Sequence, residues 1–181
     1  APPHAELGSA PGGLSALPGP VALPGCTGNR CGLGPQGHPL AKVRPRTLQA
    51  LARYPIVTYD FSFTGRSQIN AAFAAKGIEP NVVLTALDSD VIKTDVELGL
   101  GVGIVAQMAH DPARDGQFDK IEAAHLFAAS TTRLALRRGV YLRGFVYEFI
   151  TLFAPQFDRS AIDAALQGKA ESYELGTGRR A

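Results

Sequence analysis

The chain of 181 residues has few cysteines and no long apolar run. Its two cysteines, Cys26 and Cys31, lack a His or Cys pair at zinc-ligand spacing, so we expect neither a metal site nor a disulfide framework. No stretch reaches the roughly 20 apolar residues of a membrane span, and the first residues lack the basic and apolar segments of a signal peptide. These absences predict a protein of the reducing cytoplasm, without membrane contact.

The net charge of the chain is small and its histidines are few. A formal net charge of +2 is too small to indicate a nucleic-acid-binding surface by itself. The four histidines, at positions 4, 38, 110 and 125, are far apart, and none belongs to an H-x3-H or H-E-x-x-H pattern. No Ser/His/Asp or Cys/His grouping can be argued either. The sequence therefore predicts that the protein is not an enzyme, and it indicates no cofactor.

The first part of the chain is rich in glycine and proline. Residues 1–37 include 16 Gly or Pro residues, and neither helical nor strand periodicity is visible there. We predict that residues 1–22 are disordered and that residues 23–37 are weakly structured. Order is expected to begin near residue 38, and residues 169–181 are predicted to be a flexible tail.

Beyond residue 38, apolar strand-like runs alternate with helical patterns. The predicted strands cover residues 55–59, 81–86, 101–107, 119–122 and 131–137. The predicted helices cover residues 46–53, 65–76, 88–98, 140–154 and 159–167. Such alternation is typical of a parallel sheet covered by helices, so the fold class is α/β. Ligands of these sheets bind where strands end and helices begin.

A polar cluster, Thr64-Gly65-Arg66-Ser67, stands at such a place, between a strand and a helix. The N–H groups at a helix start attract anions, and the helix dipole adds to this. Thr64 and Ser67 supply hydroxyl donors, and Gly65 would let a ligand approach the backbone. The alternative is an ordinary N-cap with a solvent-facing Arg66. Both interpretations stay open on chemistry alone.

Two further motifs have a functional and a structural interpretation. Residues 88–90, Asp-Ser-Asp, follow Thr85 and open a helix, so they are either a redundant N-cap or, with Thr85, a ligand contact. The sequence GLGVG at 99–103 looks like a dinucleotide fingerprint, but its glycines follow a helix and open a strand. A Rossmann fingerprint needs the opposite order. We therefore interpret GLGVG as a tight turn with close packing.

Three segments together carry a resemblance to a known family. They read YPIVTYDFSFTGRSQINAAF, LTALDSDVIKTDVELGLGVGIVAQMA and STTRLALRRGVYLRGFVYEFITLFAPQFDR. They closely resemble the effector-binding domain of CysB-type regulators, a group within the LysR-type transcriptional regulators, from about residue 23 to residue 166. The resemblance implies a periplasmic-binding-protein-like (type II) effector domain with two α/β subdomains, in a homo-oligomer that binds DNA through a winged helix-turn-helix.

The same resemblance implies a ligand and a role. Members of this group control sulfate assimilation and cysteine biosynthesis, and they respond to N-acetylserine or O-acetylserine, with sulfate or thiosulfate as further ligands. In the family, the threonine that matches Thr64 helps to hold the anion. Thr64 is therefore the first candidate for effector binding, Gly65, Arg66 and Ser67 are supporting candidates, and Thr85 is a weaker one.

The resemblance also implies a division of the chain into segments, and the chain differs from the family pattern at several positions. It implies a degenerate hinge strand at 23–37, an effector-binding α/β subdomain at 38–138, and C-terminal helices at 139–168 that return to the first subdomain. Nothing here resembles a winged helix-turn-helix, so we expect DNA contact only through such a domain outside this chain. Gly32 and Gly34 stand where the hinge strand needs branched apolar residues, and Gly28 replaces a tryptophan. Two alternatives therefore remain: a non-functional truncated remnant, and a stand-alone small-anion-binding protein.

The helix predicted at 140–154 has a wide apolar stripe that is rich in phenylalanine. In the family this helix packs on the first subdomain, which is mostly missing from the match. We predict that its Phe-rich face is partly exposed, or that it packs on residues 38–60.

Overall fold

The computed structural model describes residues 7–11 and 20–168. The chain divides into two compact units. One comprises residues 28–130, here called the central unit. The other, here called the terminal unit, combines the residues up to Thr27 with those from Thr131 onward.

The elements alternate in chain order much as the sequence pattern predicts. The strands are β1 (Leu7–Pro11), β2 (Pro20–Gly28), β3 (Arg30–Pro35), β4 (Ile56–Tyr59), β5 (Val82–Ala86), β6 (Val102–Ala106), β7 (Phe118–Glu122) and β8 (Ser130–Arg137). The helices are α1 (Pro39–Lys42), α2 (Leu48–Leu51), α3 (Thr64–Ala74), α4 (Ser89–Glu97), α5 (Gly144–Phe153) and α6 (Arg159–Leu166). Short 3-10 turns lie at Gln107–Ala109 and Ala124–Leu126.

The central unit is a five-stranded sheet covered by helices. Its strand order is β5-β4-β6-β3-β7, in which β4 runs parallel to both β5 and β6. Only β3 runs against its neighbours, β6 and β7. Ile69 and Phe73 of α3 pack on one face of the sheet, and Ile92 and Val96 of α4 pack on the other. The predicted α/β class with a parallel-strand sheet is therefore confirmed, although β3 makes the sheet mixed.

The prediction of weak structure at residues 23–37 is wrong for β3, which lies inside the sheet and pairs on both sides. Cys31 and Leu33 are buried on one face, and Gly32 and Gly34 alternate with them. A Cβ added at Gly34 would lie 2.9 Å from the Cβ of His38, and one at Gly32 would lie 3.1 Å from the Cβ of Ile121. These glycines therefore permit close packing, a benefit that outweighs their low strand propensity.

The prediction of disorder over residues 1–22 is contradicted where the structure describes the chain. Residues 7–11 form β1, which pairs antiparallel with β8, and residues 20–22 begin β2. Backbone pairing with a partner distant in the sequence gives these segments the order that composition alone does not predict. The rest of the prediction, at residues 1–6 and 12–19, lies outside the described residues, as does the predicted tail at 169–181.

The terminal unit places β8 between β1 and β2, with α5 and α6 packed beside this sheet. Val146 and Ile150 of α5 are buried in a cluster with Leu23, Leu134 and Leu136. The opposite side of α5, formed by Phe145, Phe149 and Leu152, is exposed. The predicted partial exposure of the Phe-rich face is thus confirmed, and the buried side of α5 packs on β2 and β8 instead of on residues 38–60. No helix among the described residues is long and apolar enough to cross a membrane.

Candidate functional site

The start of α3 lies just beyond the carboxyl end of β4, where ligands of α/β sheets bind. Its N-cap residue is Phe63, which makes no side-chain capping hydrogen bond. By contrast, the Asp88 carboxylate caps α4 and the Asp158 carboxylate caps α6. Among the residues that the structure describes, no carboxylate therefore caps the positive end of α3.

The structure brings four of the five predicted residues to this helix start. Thr64 is the first residue of α3, and its side chain lies outside what the structure describes. Gly65 is half-buried and Ser67 is exposed. Thr85 is exposed on the neighbouring strand β5, opposite Thr58 of β4. The cluster and Thr85 thus belong to adjacent strand ends of the same sheet.

Arg66 does not face solvent, so that part of the alternative interpretation is wrong. Its side chain is only 4% exposed and lies 4.2 Å from the ring centroid of Phe61. Its Nη1 donates to the Tyr59 carbonyl at 3.0 Å, and its Nε donates to the Asn70 Oδ1 at 2.8 Å. Burial lowers the pKa of Arg66, and the nearby Asp60 opposes this. Arg66 therefore holds the end of β4 to the first turns of α3.

Arg30 at the start of β3 is a residue that the sequence reasoning missed. It is 5% exposed, its Nη1 donates to the Ala128 carbonyl at 2.9 Å, and its Nη2 donates to the Gln68 Oε1 at 2.7 Å. A Cβ at Gly65 would lie 3.3 Å from the same Nη2, so the guanidinium lies against the first turn of α3. A larger residue at position 65 would require this guanidinium to shift by a few tenths of an ångström.

The charge of Arg30 is not balanced by a carboxylate within the part of the chain that the structure describes. Its two hydrogen-bond acceptors, an amide oxygen and a carbonyl oxygen, are neutral. Burial lowers the pKa of Arg30, and the nearby Tyr59 opposes this. A buried cation beside the positive end of a helix is electrostatically unfavourable. A bound anion would relieve the repulsion, which makes this place suited to an oxyanion.

Tyr59 links the carboxyl ends of β4 and β6 beside this helix start. Its hydroxyl accepts a hydrogen bond from the Ala106 N–H at 3.2 Å, and its ring lies 6.0 Å from that of Phe63. Burial raises the pKa of the Tyr59 hydroxyl. The side chain therefore offers an uncharged, fixed wall and adds no negative charge to the site.

The other motifs have structural roles. The Asp88 Oδ1 accepts hydrogen bonds from the N–H groups of Asp90 and Val91, both at 2.9 Å, so the N-cap interpretation of residues 88–90 is confirmed. Gly99 has a φ of +76°, and a Cβ at Gly101 would lie 2.5 Å from the Pro55 carbonyl oxygen. GLGVG is therefore a tight turn with close packing. No cluster of three or more potential metal ligands occurs among residues 7–11 and 20–168.

Comparison with known proteins places this chain in a family. Residues 12–158 match the LysR substrate binding domain. The chain is 47% identical over 172 residues to the HTH-type transcriptional regulator CysB of Burkholderia cenocepacia, covering 95% of this chain and 55% of that protein. It is also 47% identical over 164 residues to the regulator SsuR of the same organism, covering 91% of this chain and 53% of that protein. The chain therefore spans about half the length of these relatives.

Solved structures agree with the sequence comparison. The cofactor-binding domain of the Cbl transcriptional regulator superposes with a TM-score of 0.83 at 39% identity, covering 90% of this chain and 71% of that one. The effector-binding domain of QuiR, solved with shikimate, shares the fold with a TM-score of 0.67 at 17% identity, covering 91% of this chain and 71% of that one. This chain therefore belongs to the LysR substrate-binding-domain family, among relatives of the regulators CysB, SsuR and Cbl.

Proposed function

We propose that this chain is the effector-binding portion of a cytoplasmic LysR-type transcriptional regulator of sulfate assimilation and cysteine biosynthesis. Its relatives are named as transcriptional regulators, which supports a sensing role over an enzymatic one. DNA contact is assigned to a helix-turn-helix domain, which no segment of this chain resembles. The proposed effectors are N-acetylserine or O-acetylserine, sulfate and thiosulfate. All of them carry an anionic group, which in O-acetylserine is a carboxylate accompanied by an ammonium group.

The observation that carries the proposal is the buried cation Arg30, which has no carboxylate partner among the described residues, beside the uncapped start of α3. Arg30 is buried against Gly65 with neutral acceptors only, and the N-cap Phe63 supplies no acceptor. An oxyanion could accept charge-assisted hydrogen bonds from the Arg30 guanidinium and from the uncapped N–H groups at the start of α3. In this proposal Thr64 and Ser67 contribute hydroxyl donors, while Arg66 holds the turn in place. Thr85 contributes from the neighbouring strand end.

Calorimetric titration tests this assignment directly. The purified chain is titrated with sulfate and with N-acetylserine at constant ionic strength, and Thr64→Ala is compared with Thr94→Ala. Thr94 is an exposed helical threonine of α4, so it is the matched control. We expect Thr64→Ala to weaken binding roughly tenfold or more, because a hydrogen bond to a charged group is lost. Equal affinities in the two variants would contradict the role of Thr64, and no heat of binding in the wild type would contradict the proposed function.

The structure gives less support to the two alternatives. The remnant hypothesis depended on glycines in the hinge strand, but Gly32 and Gly34 let neighbouring residues pack closely in the central sheet. No observation favours a stand-alone anion-binding protein over a regulator. The titration with sulfate would support either one, and the names of the relatives support the proposal of a regulator.

We also propose that the chain forms a homo-oligomer through the edge strand β5. Among the described residues this strand pairs only with β4, and its residues Val83 and Leu84 are exposed. Leu87 beyond it and Leu98 at the end of α4 are exposed as well. An unpaired apolar strand edge is a template for pairing with another chain. We expect Val83→Lys to lower the mass seen by sedimentation equilibrium, whereas Met108→Lys, at an exposed position outside β5, should not.

A further inference from the structure

Arg30 touches two segments that lie far apart in the sequence. Through Gln68 and Gly65 it contacts the first turns of α3, and through Ala128 it holds the segment that leads into β8. The chain passes from the central to the terminal unit between Ser130 and Thr131. One buried guanidinium therefore joins the proposed effector site to the segment at the unit boundary.

The electrostatics of this arrangement make it responsive to an anion. The Gln68 and Ala128 oxygens are both neutral, and no carboxylate forms an ion pair with Arg30 among residues 7–11 and 20–168. A full negative charge at the start of α3 would attract the guanidinium more strongly than either neutral acceptor does. If the Arg30 guanidinium moved toward the anion, the hydrogen bond from its Nη1 to the Ala128 carbonyl would lengthen.

We propose that Arg30 is a positioning residue that signals occupancy of the α3 site to residues 127–131 by exchanging its bond to the Ala128 carbonyl for contact with the anion. This inference rests on the proposed function, because it needs an anion at the start of α3. An occupied site then loosens the segment at the boundary, and an empty site restrains it.

Hydrogen exchange of the full chain tests the inference, with and without saturating sulfate at constant ionic strength. We expect peptides covering residues 127–131 to exchange about tenfold faster with sulfate, while the central strand β6 shows no such increase. The informative variant is Gln68→Glu, which is nearly isosteric and gives Arg30 a permanent carboxylate partner. It should weaken sulfate binding and remove the exchange response of residues 127–131.

Two further variants keep the test specific. Gln36→Glu makes the same charge change at an exposed turn and should behave like the wild type. Arg30→Lys keeps the charge but lacks the planar fork that reaches both acceptors, so sulfate should no longer change the exchange of residues 127–131.

The possible failures are distinguishable. If the wild type binds sulfate but residues 127–131 exchange equally with and without it, the inference about Arg30 is overturned and the proposed function stands. The same holds if Gln68→Glu responds like Gln36→Glu. If the wild type binds neither sulfate nor N-acetylserine in the titration, the proposed function and this inference are overturned together.

Discussion

At the scale of single residues, the glycines of β3 matter as much as its apolar residues. Gly32 and Gly34 alternate with Cys31 and Leu33 along β3, so one face of the strand is apolar and the other admits close neighbours. His38 lies against Gly34 on that second face. Interiors are close-packed, so a single methyl group at such a contact must displace a neighbour.

Gly34→Ala is therefore expected to destabilise the protein by about 1–3 kcal/mol, because the new Cβ would lie 2.9 Å from the His38 Cβ and Cγ. The matched control is Gly116→Ala, where an added Cβ would meet nothing within 4 Å. It should change stability by less than about 0.5 kcal/mol. Urea unfolding of both variants checks this, and a stabilising Gly34→Ala would revive the view that these glycines weaken the strand.

The His38 side chain predicts a dependence of stability on pH. Its Nδ1 accepts a hydrogen bond from the Leu40 N–H at 3.2 Å, which requires an unprotonated Nδ1. Burial lowers the pKa of His38 in the folded protein, with Asp119 opposing this. The folded pKa is lower than the unfolded value of about 6.5. The contribution of unprotonated His38 to the unfolding free energy is therefore present above pH 6.5 and is lost as pH falls toward the folded pKa.

His38→Asn isolates this effect, because asparagine offers a capping acceptor that does not titrate. We expect the unfolding free energy of the wild type to fall relative to that of His38→Asn as pH decreases below about 6.5. The other titrating groups are common to both proteins and cancel in the difference. A difference that stays constant from pH 8 to pH 5 would show that His38 does not couple folding to protonation.

At the scale of elements, α5 shows how one helix combines a core face with an open face. Ile150 is completely buried, whereas Leu152 is 84% exposed two residues later. The apolar stripe of α5 is wider than the helix face that packs against the rest of the terminal unit. The sequence therefore identifies the helix, but only the packing partners decide which apolar residues stabilise it.

Ile150→Ala should destabilise the protein by about 2–5 kcal/mol, because it leaves a cavity among β2, β8 and α6 residues. Leu152→Ala is the matched control and should change stability by less than about 0.5 kcal/mol. Denaturant unfolding monitored by circular dichroism checks both. Equal losses would mean that the outer face of α5 is covered in solution.

The helices α3 and α4 differ in how they begin, and this difference underlies the proposed site. Asp88 places a carboxylate at the start of α4, and Phe63 leaves α3 without one. Phe63→Asp should supply the missing cap and raise stability without ligand by about 0.5–2 kcal/mol. The same carboxylate would occupy the place proposed for the anion. Thermal unfolding in chloride measures the first effect, and an unchanged or lowered midpoint would contradict it.

At the scale of the whole molecule, the sequence predicts the alternation of strands and helices in the central unit well. Those elements have clear apolar runs and end signals, as at Gly77 and Gly99, both of which have positive φ. At residues 23–37 the sequence predicts only weak structure, and the resemblance implies only a degenerate hinge strand, because the order of β3 depends on pairing with β6 and β7, which are distant in the sequence. The role of Arg30 was not predictable for the same reason, since its burial beside α3 follows from that pairing.

The candidate site was predictable only in part for the same reason. The helix start at residues 64–67 is visible locally, as a polar cluster after an apolar run. The inward direction of Arg66 is set by the Tyr59 carbonyl and the Asn70 amide, and the approach of Arg30 is set by sheet order. Neither is encoded in the local spacing.

The proposed function depends on the binding of a small anion at the start of α3, beside Arg30. Thermal unfolding of the wild type and of Phe63→Asp, in sulfate and in chloride at equal ionic strength, measures this binding. Sulfate at about 100 times its Kd should stabilise the wild type by about 2.7 kcal/mol, or several degrees in Tm. We expect this shift to be lost in Phe63→Asp, and a wild-type Tm that is the same in both salts would rule out the anion site.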